Sequence, residues 1–259
     1  MSLTVHDAAA ALDEARAGRT ALVPFTDAEP TLDEAWGYAV QDVLRARRIA
    51  LGERVIGRKL GLTSEAKQRR MQVDRPIVGF LTDALPLEPA GVGRAIGGWI
   101  QPRIEPEILF VVGRELDEPL TREDAAAAVA AVTVAAEVID SRFVDYRFRL
   151  PDVVADNTSA AGVLVGPTLH SPDAVGDLAA LRCSVEVDEE VVHEATGAAI
   201  LGDPLEALVH LSHHLARRGE TLPAGSLVLA GALTDAVPLE RGRRYRLAVE
   251  RLGEIAVAP

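Results

Sequence analysis

The sequence predicts a mixed α/β protein: a helical N-terminal segment (residues 1–53) carried on a β-rich body (residues 54–259). Three observations predict it. In the first fifty residues, apolar side chains recur at helical spacing. From Arg54 onward, short β-branched runs bounded by glycine take over. Helices fall among those runs without regular alternation, which argues against a doubly wound nucleotide-binding fold.

Ala8, Ala9, Leu12 and Ala15 mark a first helix, and Gly18 offers its stop. Thr31 and Glu34 have capping-box spacing, so a second helix is expected to start there. It places Ala35, Tyr38, Ala39, Val43 and Leu44 on one stripe and ends at Gly52. VIGRKLGL reads as a strand, and Ser64 to Gln72 as a short helix. RIEPEILFVVG (Arg103 to Gly113) is a strong strand, and Pro106, lacking an N–H, predicts an edge position or a bulge. Thr121 caps an alanine-rich helix with Glu123 and Asp124 in its first turn. VTVAAEVID, SAAGVLVG and CSVEVD are strands. LEALVHLSHHLARRG is a helix closed by Gly219. SLVLAGAL, YRLAVERL and EIAVA complete the strands. No repeat or low-complexity linker interrupts them.

With 259 residues, 48% of them apolar, the chain can build a core without staples. Its one cysteine, Cys183, excludes an internal disulfide framework and a cysteine-rich zinc site. A reducing, cytoplasmic setting is therefore expected. The formal charge of −12, from 39 acidic and 27 basic residues, argues against the clustered basic charge that a phosphate-neutralising surface needs, so nucleic acid is not an expected partner. The longest apolar run, Ala125 to Ala136 with Thr133 included, has 12 residues. A membrane helix needs about 20, so no membrane is expected either. The first residues carry acids and no basic region, unlike a secretory signal.

The most informative stretch is QPRIEPEI. On a strand, Arg103, Glu105 and Glu107 project to one face, and Ile104 and Ile108 to the other. Two carboxylates on one apolar strand need a neutraliser, either a divalent cation or Arg103 itself. Oxygen donors select magnesium, manganese or calcium over zinc. A solvated strand face is the bland alternative. Glu137, inside VTVAAEVID, has little chance of an exposed side chain. It would complete a three-carboxylate site or pair with an arginine such as Arg142. Lys59 stands in the apolar string IGRKLG, as an electrophilic charge, an acid–base group, a Schiff-base former or a snorkelling surface lysine. Arg58 beside it points to the opposite face. Asp156, Asn157, Thr158 and Ser159 cap a turn or contact a ligand. His210, His213 and His214 share a helix without an H-E-x-x-H motif and read as surface or core residues. No G-x-S-x-G, P-loop or G-x-G-x-x-G occurs.

The strings GRKLGLTS, VDRPIVGFLTD, QPRIEPEILFVV, EVIDSR and DVVADNTSAAGVLVG occur in that order. Together they closely resemble the 2-hydroxypentadienoate hydratase and 4-oxalocrotonate decarboxylase family of the fumarylacetoacetate hydrolase superfamily. The resemblance runs from Gly57 to Gly166 and continues weakly through LGDPLEALVHL and AGSLVLAGAL. It implies a β-roll catalytic core behind the N-terminal helices. It implies a Mg²⁺ or Mn²⁺ site ligated by Glu105, Glu107 and Glu137, and an active-site lysine at Lys59. Ser159 corresponds to a substrate-contacting position, and Asp156 and Arg103 are the other expected substrate contacts. The implied substrate is a 2-oxo acid. Homo-oligomers, often about a fivefold axis, are implied, as is a complex with a sister hydratase. VDRPIVGFLTD, DYRFRL and DVVADNTSAAG look like the decarboxylase branch, acting on 2-oxohex-3-enedioate. Asp74 followed by Arg-Pro is a hydratase-like trace. The alternatives are therefore a 2-hydroxypenta-2,4-dienoate hydratase, or a non-catalytic subunit of a hydratase–decarboxylase complex.

Overall fold

Thr4 opens the first helix of the chain, whose residues 3–259 are described by a computed structural model; residues 1 and 2 of the expected helical segment lie outside it. The Thr4 hydroxyl accepts from the Asp7 amide and starts α1 (Val5–Gly18). The helix closes on Arg19 in the left-handed region, one residue past the expected Gly18. One turn, α2 (Phe25–Ala28), leads to α3 (Glu34–Ala50). The cap of α3 is Asp33, whose carboxylate accepts from the Trp36 amide at 2.8 Å, and not the expected Thr31. A carboxylate at that position satisfies an orphan amide and meets the positive end of the helix dipole.

The strands are β1 (Val55–Gly61), β2 (Ile77–Thr82), β3 (Arg103–Val112), β4 (Val129–Ile139), β5 (Ala160–Val165), β6 (Arg182–Val187), β7 (Glu190–Thr196), β8 (Leu227–Ala232), β9 (Val237–Pro238), β10 (Tyr245–Val249) and β11 (Gly253–Val257). The helices among them are α4 (Glu65–Met71), α5 (Val92–Ala95), α6 (Arg122–Ala128), α7 (Leu150–Ala155), α8 (Pro172–Val175) and α9 (Leu205–Arg218). The buried stripe of α3 is Gly37, Tyr38, Val40, Gln41 and Leu44, while Ala35 and Ala39 of the expected stripe are exposed. Gly37 turns the helix this way. A Cβ there would lie 2.6 Å from the Pro151 carbonyl of α7, so α3 rests on that backbone. The N-terminal helices share a core with Phe80, Phe143 and Ala155 and cap the outer strand β2.

The main sheet runs β2-β1-β8-β3-β4-β5, with β9 also on β3, and β1/β8 is parallel while the other pairs are antiparallel. A second, antiparallel sheet runs β11-β10-β6-β7. The largest core joins the second sheet and α9 to one face of the main sheet, through Phe110, Val134, Val185, Leu208 and Leu247 among others. The other face carries a smaller cluster that includes Leu81, Leu109, Ala135, Val163 and Leu229.

Pro106 is not at an edge, because β3 lies between β4 and β8. On the β8 side of β3, pairing to β9 stops at Ile104 and pairing to β8 begins at Glu107, with an irregularity before Leu109. The missing N–H falls in that gap, as a bulge rather than an edge would allow. No helix among the described residues is long and apolar enough to cross a membrane.

Candidate metal centre

The β3/β4 register pairs Glu105 directly with Glu137. Strand alternation then puts Glu105, Glu107 and Glu137 on the face opposite the main core. Carboxylate oxygens from all three lie within 4.8 Å of one another. Their exposures are 7%, 0% and 0%, so the solvated-face alternative fails.

Lys59 reaches the same point from β1. It is 3% exposed, its Nζ lies 2.9 Å from Glu137 Oε2, and it donates to the Thr158 carbonyl at 3.1 Å. Arg58, on the opposite face, is also buried and pairs with Glu220 at 2.9 Å. Both basic residues of the string are therefore inside, each with its own acid. Glu137 does not pair with Arg142, which instead grips Asp156 through its side chain and its amide. Nor does Arg103 neutralise Glu105 and Glu107. Its guanidinium lies 4.4 Å from the ring centroid of Tyr146, and it makes no ion pair among the described residues.

Three buried carboxylates thus face one ammonium. Glu107 Oε2 accepts from the Gly231 amide at 2.8 Å. Gly231 has φ of +119°, and a Cβ there would meet Thr63 Oγ1 at 2.1 Å, so only glycine brings that amide in. Glu107 Oε1 and both oxygens of Glu137 have no hydrogen-bond partner of good geometry, leaving the Lys59 contact to Glu137 a charge contact. Burial, then the charge of Glu137, pushes the Glu107 carboxyl well above its usual range. Burial also raises Glu137, to about 7, against the pull of Lys59. Burial would lower Lys59, but Glu137, Glu105 and Glu107 outweigh it, so the ammonium is held above its ordinary value. Orphaned oxygens, surplus negative charge and an all-oxygen donor set fit a hard divalent cation such as Mg²⁺ or Mn²⁺.

The turn over the centre comes from residues 156–159. Asp156 accepts from the Arg142 amide and guanidinium and from Ser159 Oγ at 3.2 Å. Burial raises its carboxyl to about 6 against those partners. At the start of the turn, its oxygens are engaged by Arg142 and by the Ser159 hydroxyl. The histidines form no metal-ligand group among the described residues. His214 packs on Tyr38 with ring centroids 5.0 Å apart. Sequence reading missed Gly231, although a glycine inside a strand signals close backbone approach. It also left Asn157 as one of four turn residues.

A mixed main sheet that buries a carboxylate triad and a lysine on the face opposite its main core defines the class of protein. Residues 58–258 match the family described as Fumarylacetoacetate (FAA) hydrolase C-terminal, and the chain belongs to that family. It is similar to a 4-oxalocrotonate decarboxylase of a Pseudomonas species, 42% identical over 246 residues, covering 95% of this chain and 94% of that one. It is similar to the 2-hydroxyhexa-2,4-dienoate hydratase of Comamonas testosteroni, 37% identical over 244 residues, covering 93% and 92%. The solved 4-oxalocrotonate decarboxylase from Pseudomonas putida G7, complexed with magnesium and adipate, superposes with a TM-score of 0.90 at 34% identity, covering 99% and 98%. The family resemblance and the mixed α/β roll expected from the sequence are borne out.

Proposed function

We propose that the chain is a Mg²⁺- or Mn²⁺-dependent lyase that decarboxylates 2-oxohex-3-enedioate to 2-hydroxypenta-2,4-dienoate. The observation that carries this reading is the buried triad Glu105, Glu107 and Glu137 beside Lys59. Near-full-length likeness to decarboxylases supports it. The three glutamates hold the ion. Bound there, it supplies Lewis-acid polarisation of the 2-keto group.

The rest falls to the chain's own side chains. When the terminal C–C bond breaks and carbon dioxide leaves, the electron pair moves through the conjugated system to the 2-keto oxygen. Lys59 sets positive charge where that negative charge develops, and can give the proton that completes the product. Leu81, Leu109 and Leu229 on the same face keep water away and favour loss of the departing carboxylate's charge. Arg103, stacked on Tyr146 beside Glu105, receives a substrate carboxylate, and Ser159 orients the substrate.

A hydratase would use the same centre and add water at the distal double bond. The Asp74-Arg-Pro string and the likeness to the Comamonas hydratase favour it as the second reading. A paired assay with Mg²⁺ decides. Carbon dioxide released from 2-oxohex-3-enedioate supports the decarboxylase. Consumption of 2-hydroxypenta-2,4-dienoate with no gas from the dicarboxylate overturns it in favour of the hydratase. A non-catalytic subunit has no use for four buried charges, and inactivity on both substrates with added Mn²⁺ would revive it. We also take residues 1–53 as a helical cap on the catalytic body, and the protein as a cytoplasmic homo-oligomer that joins a sister hydratase. Sedimentation of the protein, alone and mixed with that hydratase, tests the assembly.

A further inference from the structure

We propose that Asn157 is a positioning residue for Lys59, acting through a strained left-handed turn pinned to the edge of the main sheet. The inference rests on Lys59 working at the centre described above. Asn157, Thr158 and Ser159 have φ of 49°, 52° and 61°. None is glycine, and Thr158 is β-branched, the kind of residue least suited to that region. Such a run persists only where its surroundings over-determine it.

Asn157 supplies the constraint. Its Oδ1 accepts from the Phe80 amide at 2.9 Å, and its Nδ2 donates to the Phe80 carbonyl at 3.0 Å. β2 is the outer strand of the sheet, so one amide side chain takes the ladder positions of a missing neighbour. The next position along, Gly79, lies opposite Lys59 in the β1/β2 register. A Cβ on Gly79 would meet Thr158 Oγ1 at 2.5 Å and Asn157 Oδ1 at 3.0 Å. The turn therefore lies flat on the strand directly across from the lysine. This delivers the Thr158 carbonyl to Lys59 Nζ at 3.1 Å. That carbonyl holds the ammonium from one side while Glu137 holds it from the other. Without the pin, the turn can relax out of the left-handed region, and the long lysine stem loses its second anchor.

The chain contains two lysines, Lys59 and Lys67, which makes the test clean. The purified protein is labelled with acetic anhydride, and acetylation at each lysine is read by mass spectrometry, with Lys67 on α4 as internal reference. Mn²⁺ affinity is measured in parallel by electron paramagnetic resonance. Asn157→Gly keeps the left-handed backbone accessible but deletes both hydrogen bonds. It is expected to raise the Lys59-to-Lys67 labelling ratio about tenfold, as local opening would. It is expected to lower kcat about 100-fold, as a small misplacement of a reacting group does. Mn²⁺ affinity should stay within about threefold, since no proposed metal ligand is touched.

Asn157→Ala should behave alike. Gly79→Ala attacks the turn from the other side and should give the same signature, which keeps the proposal testable if an Asn157 variant fails to fold. A labelling ratio and kcat within about twofold of wild type in Asn157→Gly overturn the proposal, because backbone conformation alone would then account for the residue. Labelling and Mn²⁺ binding need no substrate. A raised labelling ratio in a protein that does not decarboxylate 2-oxohex-3-enedioate would therefore overturn the proposed reaction and leave this inference standing.

Discussion

Glu107 and Glu137 are fully buried, and Lys59 is the cation beside them. Removing one carboxylate removes a proposed ligand. Glu107→Gln or Glu137→Gln should weaken Mn²⁺ binding by at least about 100-fold, more than loss of an outer-shell partner costs. Calorimetric titration checks this, and unchanged affinity would refute the ligand assignment. Lys59→Met carries an opposite signature. The ammonium competes with the ion for Glu137, so metal affinity should hold or rise, while kcat falls by about 10²–10⁴, the range of a lost acid–base or charge-stabilising group. Unaltered turnover would make Lys59 structural. Much of this centre could be read in the sequence. E-x-E on a strand and a glutamate inside a small apolar run are local patterns with a definite physical cost. Which cation offsets that cost was not readable. Arg103 and Arg142 were nearer in sequence, but the ammonium that arrives comes from β1, two strands away from β3 in the sheet.

At the scale of elements, the longer helices announced themselves through periodicity and caps, the four short ones α2, α5, α7 and α8 did not, and the interior strands showed through β-branched runs. The errors lie where several local solutions compete. Thr31 and Asp33 both precede α3, and the carboxylate takes the cap. Asp33→Ala should therefore cost about 1 kcal/mol in urea unfolding, and Thr31→Ala less than about 0.5 kcal/mol. Equal losses would mean that both residues hold the helix start. β2 went unnoticed because IVGFLT is short and preceded by Pro76; β7 did because EVVHEAT is largely exposed, as an outer strand can be. Pro106 pointed to an edge or a bulge, and the choice between them was not legible, since the gap between β9 and β8 that accommodates it is set by residues more than a hundred positions away.

Over the whole molecule, the buried carboxylates tie folding to protons and to metal. The Glu137 carboxyl moves from an ordinary 4.5 up to about 7 in the fold. A group raised on folding contributes stability that is complete below its unfolded value and is lost as pH rises through the folded one. The metal-free protein should therefore lose stability between about pH 4.5 and pH 7 from this group. His214 works in the other direction. Burial, with Arg218 and Arg217 nearby, lowers it from 6.5 to about 4, so its contribution is lost as pH falls through that window. Comparison with Glu137→Gln separates the two, since that variant keeps His214. A divalent ion needs the ionised carboxylates, so its binding strengthens as pH rises through about 7. At 100 times the dissociation constant, a ligand of the native state adds about 2.7 kcal/mol, or about 5–10 °C in melting temperature for a chain of this size. The expected result is a set of melting curves in which chelator-treated protein falls from acid to neutral pH relative to Glu137→Gln. Saturating Mg²⁺ or Mn²⁺ should restore it by an increment that grows with pH and vanishes in Glu137→Gln. An increment independent of pH, or one retained in that variant, would place the bound ion away from the triad.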